Sequence, residues 1–484
     1  MSWKPNKLIN LPVYKQISNY MESRIIHGEF PSGSTLPSER QLAAELQVNR
    51  STIVSSYDEL LALGLVRKVK GVGTIVSMEN KDGETFKRLP NWNDYAKNGE
   101  FQLNNPLNRQ IHKIIQSGES YINFAIGELS PDLLPIDLMQ AIHRSTDMYD
   151  CMGYEHLQGN VKLREALVTH LDTHRNIKTS SSSILVTSGA QQALHLIIQY
   201  LLKPGDAIAI EDPSYAYSMP IFKSAGIKAF LLPVGQDGID PEQIVSLYKK
   251  HRIKMVFLNP IFQNPTGTIL SYEKRKRVLE ISTQYGIPIV EDDPYSETGY
   301  DTTFPSYSLK SMDEDGTVLY VSSLSKIVSS GLRIGWIVGP QAVIQRLTDA
   351  RQQIDFGHPT YPQWIAAQLL ASEGFDHHLH HLRSRLQKKR DMAVQAFQKA
   401  FEDKIHLHIP LGGIHLWCKL DGDWNEEHVF KECVNRGILY APGSTLGTND
   451  RFMRFTFGRV DDTHIAEGIQ RFAEVILCSN SRDH

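Results

Sequence analysis

The sequence predicts a two-part α/β chain: a small helical head closed by a basic β hairpin, then a large body whose mostly parallel sheet is covered by helices. Three observations predict this. The 484 residues exceed one compact domain and suggest two or three. The first eighty residues carry three helical patterns followed by two short β-rich runs. Beyond a polar, weakly patterned stretch, β-type runs alternate with helical ones, as in strands joined by crossover helices.

Composition narrows the class. With 41% hydrophobic and 22% charged residues, the chain can bury a sizeable core and does not read as disordered. Its 51 Lys and Arg nearly balance 54 Asp and Glu, for a net charge of −3, which argues against a protein coated in nucleic acid but leaves room for a local DNA-binding face. Cys151, Cys418, Cys433 and Cys478 form no Cys-x-x-Cys pair, so reduced thiols in a cytoplasmic protein are expected, not a disulfide framework or zinc site. No apolar run approaches the ~18–20 residues of a membrane span. Met1–Lys7 lacks the apolar stretch of a signal peptide. A secreted, membrane or fibrous protein is therefore not expected.

The head is justified element by element. Val13, Ile17, Tyr20, Met21, Arg24 and Ile25 recur at mostly three- and four-residue spacing, predicting a helix from Val13 to His27, with Pro12 before it and Gly28 closing it. Ser38 and Gln41 have capping-box spacing at the start of a second helix, whose apolar positions are Leu42, Ala43 and Leu46. Asn49 or Ser51 caps a third helix from about Arg50 to Leu63, with Ile53, Val54, Tyr57, Leu60 and Leu61 as its buried stripe. Within Leu65–Val76 two short β-rich runs flank a Lys70-Gly71-Val72-Gly73 turn, a hairpin signal. Three helices and a basic hairpin make a winged helix-turn-helix. Over about residues 12–77 the layout resembles the GntR family of bacterial regulators, on the Leu36-Pro37-Ser38-Glu39-Arg40 turn, the Asn49-Arg50-Ser51-Thr52 helix start and the Lys70-Gly71 wing tip. The DNA-binding domain is expected at 10–78. A recognition helix meets the major groove with polar and cationic side chains at its N-terminus; Asn49, Arg50, Ser51 and Thr52 supply them. Arg40, Lys70 and Gly71 are further candidate contacts to double-stranded promoter DNA. Nine Lys and Arg against seven Asp and Glu in residues 1–80 give a modest positive excess, consistent with salt-sensitive binding.

Residues 79–118 are polar and read as a linker with some helix near Ile111–Ile115, because forty structureless residues are unusual inside a compact fold. The body is expected at 119–480. Its β-type runs include Ile184–Thr187, Ala207–Ile210, Met255–Leu258, Ile287–Glu291, Val318–Val321 and Gly335–Val338.

The most informative stretch is Val321-Ser322-Ser323-Leu324-Ser325-Lys326, continued to Gly331-Leu332-Arg333. A lysine just past a strand, among hydroxyls and seven residues before an arginine, suits an aldehyde cofactor carrying a phosphate. Lys326 would form a Schiff base once deprotonated, and Ser323 and Arg333 would hold the phosphate. Thr187-Ser188-Gly189-Ala190-Gln191 follows a strand and opens a helix, where backbone N–H groups cradle an anion; Gly189, Ala190 and Gln191 are the candidates.

Two more stretches carry a family resemblance: Ile289-Val290-Glu291-Asp292-Asp293-Pro294-Tyr295 and Asn264-Pro265-Thr266-Gly267. Over about residues 120–475 the body resembles the fold-type I, class I aminotransferases that use pyridoxal 5′-phosphate. The resemblance implies an α/β transferase fold with a smaller C-terminal α+β subdomain. It implies that Asp292, or its neighbour Asp293, pairs with the pyridine nitrogen. By the same resemblance Tyr295 and Asn264 bond the ring oxygen, Tyr215 stacks on the ring, and Tyr154 reaches the neighbouring subunit's phosphate. Arg454 would clamp a ligand carboxylate, with Arg451 and Arg459 as alternatives, and Gly127 is placed on the effector side. The His377-His378 and His380-His381 pairs read as a solvated helix face; adjacent histidines diverge and no acidic partner pattern accompanies them, so no metal is expected.

The order of the two halves resembles the MocR/GabR group within the GntR family. That resemblance implies a head-to-tail homodimer, probing DNA with its winged helices and sensing an amino compound or the cofactor itself in the body. The alternative is a working aminotransferase with a regulatory DNA-binding head.

Overall fold

The computed structural model describes residues 3–6, 8–77, 92, 102–145, 152–300, 307–422, 424–447 and 451–480. The chain divides into two compact units, Met1–Phe101 and Gln102–His484.

The first unit is built from helices α1 (Val13–Ile26), α2 (Glu39–Leu46) and α3 (Arg50–Ala62) and the antiparallel hairpin β1 (Val66–Val69) and β2 (Gly73–Val76). Ser38 Oγ accepts from the Gln41 amide, as the capping-box spacing predicts. Ile17, Met21, Leu42, Leu46, Ile53, Tyr57 and Leu60 form one core closed by Val66 and Val76 of the hairpin. Tyr57 Oη donates to the Pro37 carbonyl at 2.7 Å, fixing α3 against the turn before α2. Asn49 occupies the cap position of α3, yet its side chain makes no capping bond. Leu61, expected in the buried stripe, is 41% exposed. It directly follows Leu60, which already faces the core, so the helical turn swings it outward.

In the second unit, helix α4 (Pro106–Gln116) is capped by Asn105, whose side chain accepts from the Leu107 amide. Its Ile111 enters the core of this unit. Residues 102–118, expected to be linker, therefore belong to the body's compact unit. Of the rest of the expected linker, 78–91 and 93–101 lie outside the described residues.

The main sheet has eight strands in the order β4-β11-β10-β9-β8-β5-β6-β7. They are β4 (Ile184–Thr187), β5 (Ala207–Asp212), β6 (Lys228–Gly235), β7 (Gly238–Ile239), β8 (Met255–Leu258), β9 (Ile289–Asp292), β10 (Val318–Ser323) and β11 (Gly335–Val338). Strands β6, β5, β8, β9 and β10 run parallel, whereas β11 is antiparallel to both neighbours. Strands β4, β5, β8, β10 and β11 are buried on both faces but for Asp212, as expected of a sheet covered by helices. Helix α5 (Gly189–Leu201) leaves the end of β4, and the long helix α6 (Glu373–Phe401) leads to a smaller antiparallel sheet. That sheet joins β12 (Ile405–His408), β13 (Leu416–Leu420), β16 (Phe452–Phe455) and β15 (Ala441–Pro442), and a separate short parallel pair joins β3 (Ile122–Asn123) to β14 (Ile438–Leu439). Among the described residues no helix is long and apolar enough to cross a membrane. Cys418 and Cys433 are buried free thiols, Cys478 is exposed, and Cys151 lies outside the described residues.

Candidate functional site

A cleft of about 440 Å³ opens at the C-terminal ends of the parallel strands, where α/β sheets place their ligands. Register explains its contents. Asp292 ends β9 opposite Val321 of β10, and Lys326 follows β10 in a single 3₁₀ turn, so carboxylate and amine meet at the C-terminal end of two central strands. Antiparallel β11 returns Gly335 between Ser323 and Thr187, bringing Arg333 to the start of α5.

Lys326 Nζ donates to the Gly127 carbonyl. Burial, helped by the nearby Arg454 charge, lowers its pKa to about 8. Asp292 moves the opposite way: burial and the adjacent Asp293 raise it to about 7. Asp292 Oδ1 is buried without a hydrogen-bond partner. Asp293 has no such vacancy. It pairs with Arg175 at 2.9 Å, accepts from Tyr320 Oη at 3.0 Å and takes the Ser296 amide. Of the two adjacent carboxylates, only Asp292 lines the cleft.

Asn264 Nδ2 donates to Tyr295 Oη at 3.2 Å, and Asn264 Oδ1 accepts from Arg454 Nη1 at 2.9 Å. Arg454 Nη2 donates to the Ala125 carbonyl at 2.6 Å, while its Nε is buried without a partner. No carboxylate of the described residues pairs with this buried guanidinium, which leaves its charge available to an anion. Arg459 instead lies 3.6 Å from Glu128, and Arg451 is exposed with φ +87°; neither lines the cleft.

At the other end of the cleft, Gly189 starts α5 with φ +75°, and a Cβ there would stand 2.7 Å from Arg333 Nη2. Arg333 Nη2 donates to the Ser188 carbonyl at 2.9 Å. The first turn of α5 carries amides without intrahelical acceptors, next to Arg333 and the buried Ser323. Ala190, Gln191, Ser323, Ser325 and Tyr215 all line the cleft. These features fit a phosphorylated pyridine aldehyde: an anion cradle at one end, an unpartnered buried carboxylate and a deprotonatable amine in the middle. Gly127 sits where a Cβ would press on His415 Cε1 at 3.2 Å. Tyr154 is 92% exposed and is not among the lining residues.

Several lining residues escaped the sequence reading. Asn108, Ile111 and His112 come from α4, inside the stretch taken for linker. Its Asn105-Pro106 start is a cap-and-Pro signal that marks a helix. Buried Glu211 has its pKa raised to about 7 by burial. His415 bonds Tyr295 Oη at 3.0 Å and Thr456 Oγ1 at 2.9 Å; only its place after Gly412-Gly413 at a strand entry hinted at it. The histidine pairs need a correction. His377, His380 and His381 are exposed, but His378 is buried and its Nε2 bonds the carbonyl of Ile327, beside Lys326, at 2.6 Å. A helix face three residues wide cannot expose both members of every adjacent pair. Among the described residues no cluster suits a metal ion.

On the head, Arg40, Asn49, Arg50, Ser51, Lys70 and Gly71 are exposed and Thr52 is half-buried. Lys70 and Gly71 form the hairpin turn, with Gly71 at φ +80°. Arg50 is held by Glu39 through Nε at 3.1 Å and Nη2 at 2.9 Å. An exposed pair of this kind is worth at most about 1 kcal/mol and can be exchanged for phosphate.

Comparison with known proteins agrees with this division. Residues 119–472 match the family model for aminotransferase class I and II, and residues 13–76 match that for bacterial regulatory proteins of the gntR family. The chain is 36% identical over 474 residues to the uncharacterized HTH-type transcriptional regulator YisV of Bacillus subtilis, covering 98% of this chain and 97% of that protein. It is 29% identical to the HTH-type transcriptional regulator NorG of Staphylococcus aureus, covering 90% and 98% respectively. Among solved structures, the Pyrococcus horikoshii kynurenine aminotransferase in complex with PMP superposes with a TM-score of 0.72 at 28% identity, over 78% of this chain and 95% of that one.

Proposed function

Because the chain belongs to the aminotransferase class I and II family and carries a gntR-family head shared with HTH-type transcriptional regulators, we propose that it is a pyridoxal phosphate-dependent regulator of transcription. Its head binds promoter DNA and its body senses an amino compound. The observation that carries this reading is the buried, unpartnered Asp292 Oδ1 in the same cleft as Lys326. Asp292 holds the pyridine nitrogen, Tyr295 and Asn264 hold the ring oxygen, and Tyr215 covers the ring. Gly189, Ala190, Gln191, Ser323 and Arg333 hold the phosphate. Bound there, the cofactor supplies an aldehyde that condenses reversibly with primary amines.

Arg454 selects ligands with a carboxylate, since its buried charge lacks one in the protein. Lys326 would be the amine that an amino compound has to replace, and Arg454 would hold that compound's carboxylate beside Gly127. Helix α4 gives this event a route outward: it lines the cleft through Asn108, Ile111 and His112 and is the first helix of the body. A ligand shifts the equilibrium between DNA-binding arrangements only by its differential affinity for them. We read the working form as a cytoplasmic homodimer; Tyr154, exposed and outside its own chain's cleft, suits a reach toward a partner's phosphate site.

A second reading, turnover of amino donors, is favoured by the presence of Lys326, Asp292, Tyr295, Asn264 and Arg454 around one cleft. Gel shifts on upstream DNA, set beside transamination assays with 2-oxoglutarate, separate the two. Effector-dependent DNA binding without turnover supports the regulator; turnover with effector-blind DNA binding supports the enzyme.

A further inference from the structure

The hydroxyl of Tyr295 is held by a short chain of side chains that runs from the main sheet into the smaller one. Leu416 of β13 pairs with Phe455 of β16, which sets His415 and Thr456 side by side at the cleft end of that pair. His415 is 4% exposed; Nε2 meets Tyr295 Oη at 3.0 Å and Nδ1 meets Thr456 Oγ1 at 2.9 Å. Arg454 is a pure donor, so Asn264 presents its oxygen to Arg454 and its amide nitrogen to Tyr295. The phenol oxygen thus accepts from Asn264 whatever else happens.

The imidazole is neutral. Burial, reinforced by the cations Arg454 and Lys326, pushes its pKa well below the ordinary histidine value. Tyr295 stays protonated beside it, because burial raises its pKa far more than Arg454 lowers it and Asp292 acts in the same direction as burial. A neutral imidazole donates from one nitrogen and accepts at the other. The Thr456 hydroxyl can do either. When Thr456 donates to Nδ1, Nε2–H donates to Tyr295, and the phenol proton is free for the cleft. In the reversed arrangement Tyr295 directs its proton back to the ring and offers none to a ligand.

We propose that His415 is a positioning residue that, seated on Thr456, turns the Tyr295 hydroxyl to donate into the cleft. The proposal rests on the reading of the cleft as a pyridoxal phosphate site, whose ring oxygen is the acceptor. With Asn264 and His415 both donating to its oxygen, Tyr295 becomes the stronger donor. A strong donor stabilises negative charge on the ring oxygen and so lowers the pH at which the lysine-bound cofactor loses its proton.

The test is a pH titration of the visible absorbance band in the full-length protein reconstituted with pyridoxal phosphate. His415→Phe removes the donor. His415→Asn keeps a group near Thr456 that cannot reach Tyr295, and stands in if the first variant fails to fold. His415→Gln places an amide nitrogen near the Nε2 position. The Phe and Asn variants raise the midpoint by about one pH unit, roughly tenfold in acidity, the size expected for one lost hydrogen bond; the Gln variant stays with the parent. Midpoints unchanged in Phe and Asn, or shifted equally in all three, overturn the assignment. A parent protein that develops no visible band overturns the cofactor reading itself.

Discussion

Arg454 Nη1 donates to Asn264 Oδ1 at 2.9 Å, joining a strand of the small sheet to a loop of the large one across the cleft. The bond satisfies one donor of a buried guanidinium and leaves its charge uncompensated. Such a group costs stability while the site is empty of anions and repays it when a carboxylate arrives.

Arg454→Met should therefore separate folding from recognition. It removes a buried unpaired charge at similar volume, so the thermal midpoint of the cofactor-free protein should not fall. Affinity for a carboxylate-bearing effector should fall by at least about 2 kcal/mol, some thirtyfold, as for truncation of one partner in a buried charge pair. Calorimetric titration beside a thermal scan checks both. A lower midpoint with unchanged affinity would assign Arg454 to the fold alone.

The lowered Lys326 pKa, about 8, predicts a pH profile. The neutral amine is the nucleophile, so at lower pH its population grows about tenfold per pH unit and levels off above pH 8. The rate at which the cofactor-free protein develops its visible band should follow that curve. In Arg454→Met, which removes a nearby positive charge, the plateau should move to higher pH. Stopped-flow absorbance reads both.

Gly189→Ala tests the phosphate cradle. The φ of +75° and the 2.7 Å approach to Arg333 Nη2 make any Cβ strained there. Stability should fall by roughly 1–3 kcal/mol, with weaker cofactor retention, since Arg333 has to move. Differential scanning calorimetry and equilibrium dialysis measure the two effects.

At the wing, Lys70→Ala should weaken DNA binding about equally across sequences and lower the salt-dependence slope by about one. Fluorescence anisotropy over a range of salt concentrations gives that slope. An unchanged slope would remove Lys70 from the DNA interface.

What the sequence made legible follows from how local each signal is. The head's helices were readable because caps and apolar spacing lie within a few residues, as with Ser38 and Gln41. Lys326, Asp292, Asn264 and Arg454 stand in short distinctive stretches, and the structure gathers all four at one cleft. Strand β6 carries the apolar run Ala229-Phe230-Leu231-Leu232, but Pro233 inside it argues against a central strand and hides the element from a local reading. For helix α4 the sequence shows only some helix near Ile111–Ile115 within a polar linker, because its polar residues outnumber the apolar ones, and only tertiary packing shows Ile111 to be buried. The same holds for His378 and His415. Their partners, Ile327, Tyr295 and Thr456, are 41 to 120 positions away in sequence, and nothing local announces them.

An amine that displaces Lys326 from the cofactor aldehyde should change how the head holds DNA. The most direct measurement is the affinity of the pyridoxal phosphate-loaded protein for its upstream DNA, titrated with a panel of amino acids and amines and repeated with Lys326→Ala. At least one compound should shift the parent's affinity by about fivefold or more and leave the variant unmoved. An equal shift in both proteins, or DNA binding in the parent that ignores every compound it captures, would contradict it.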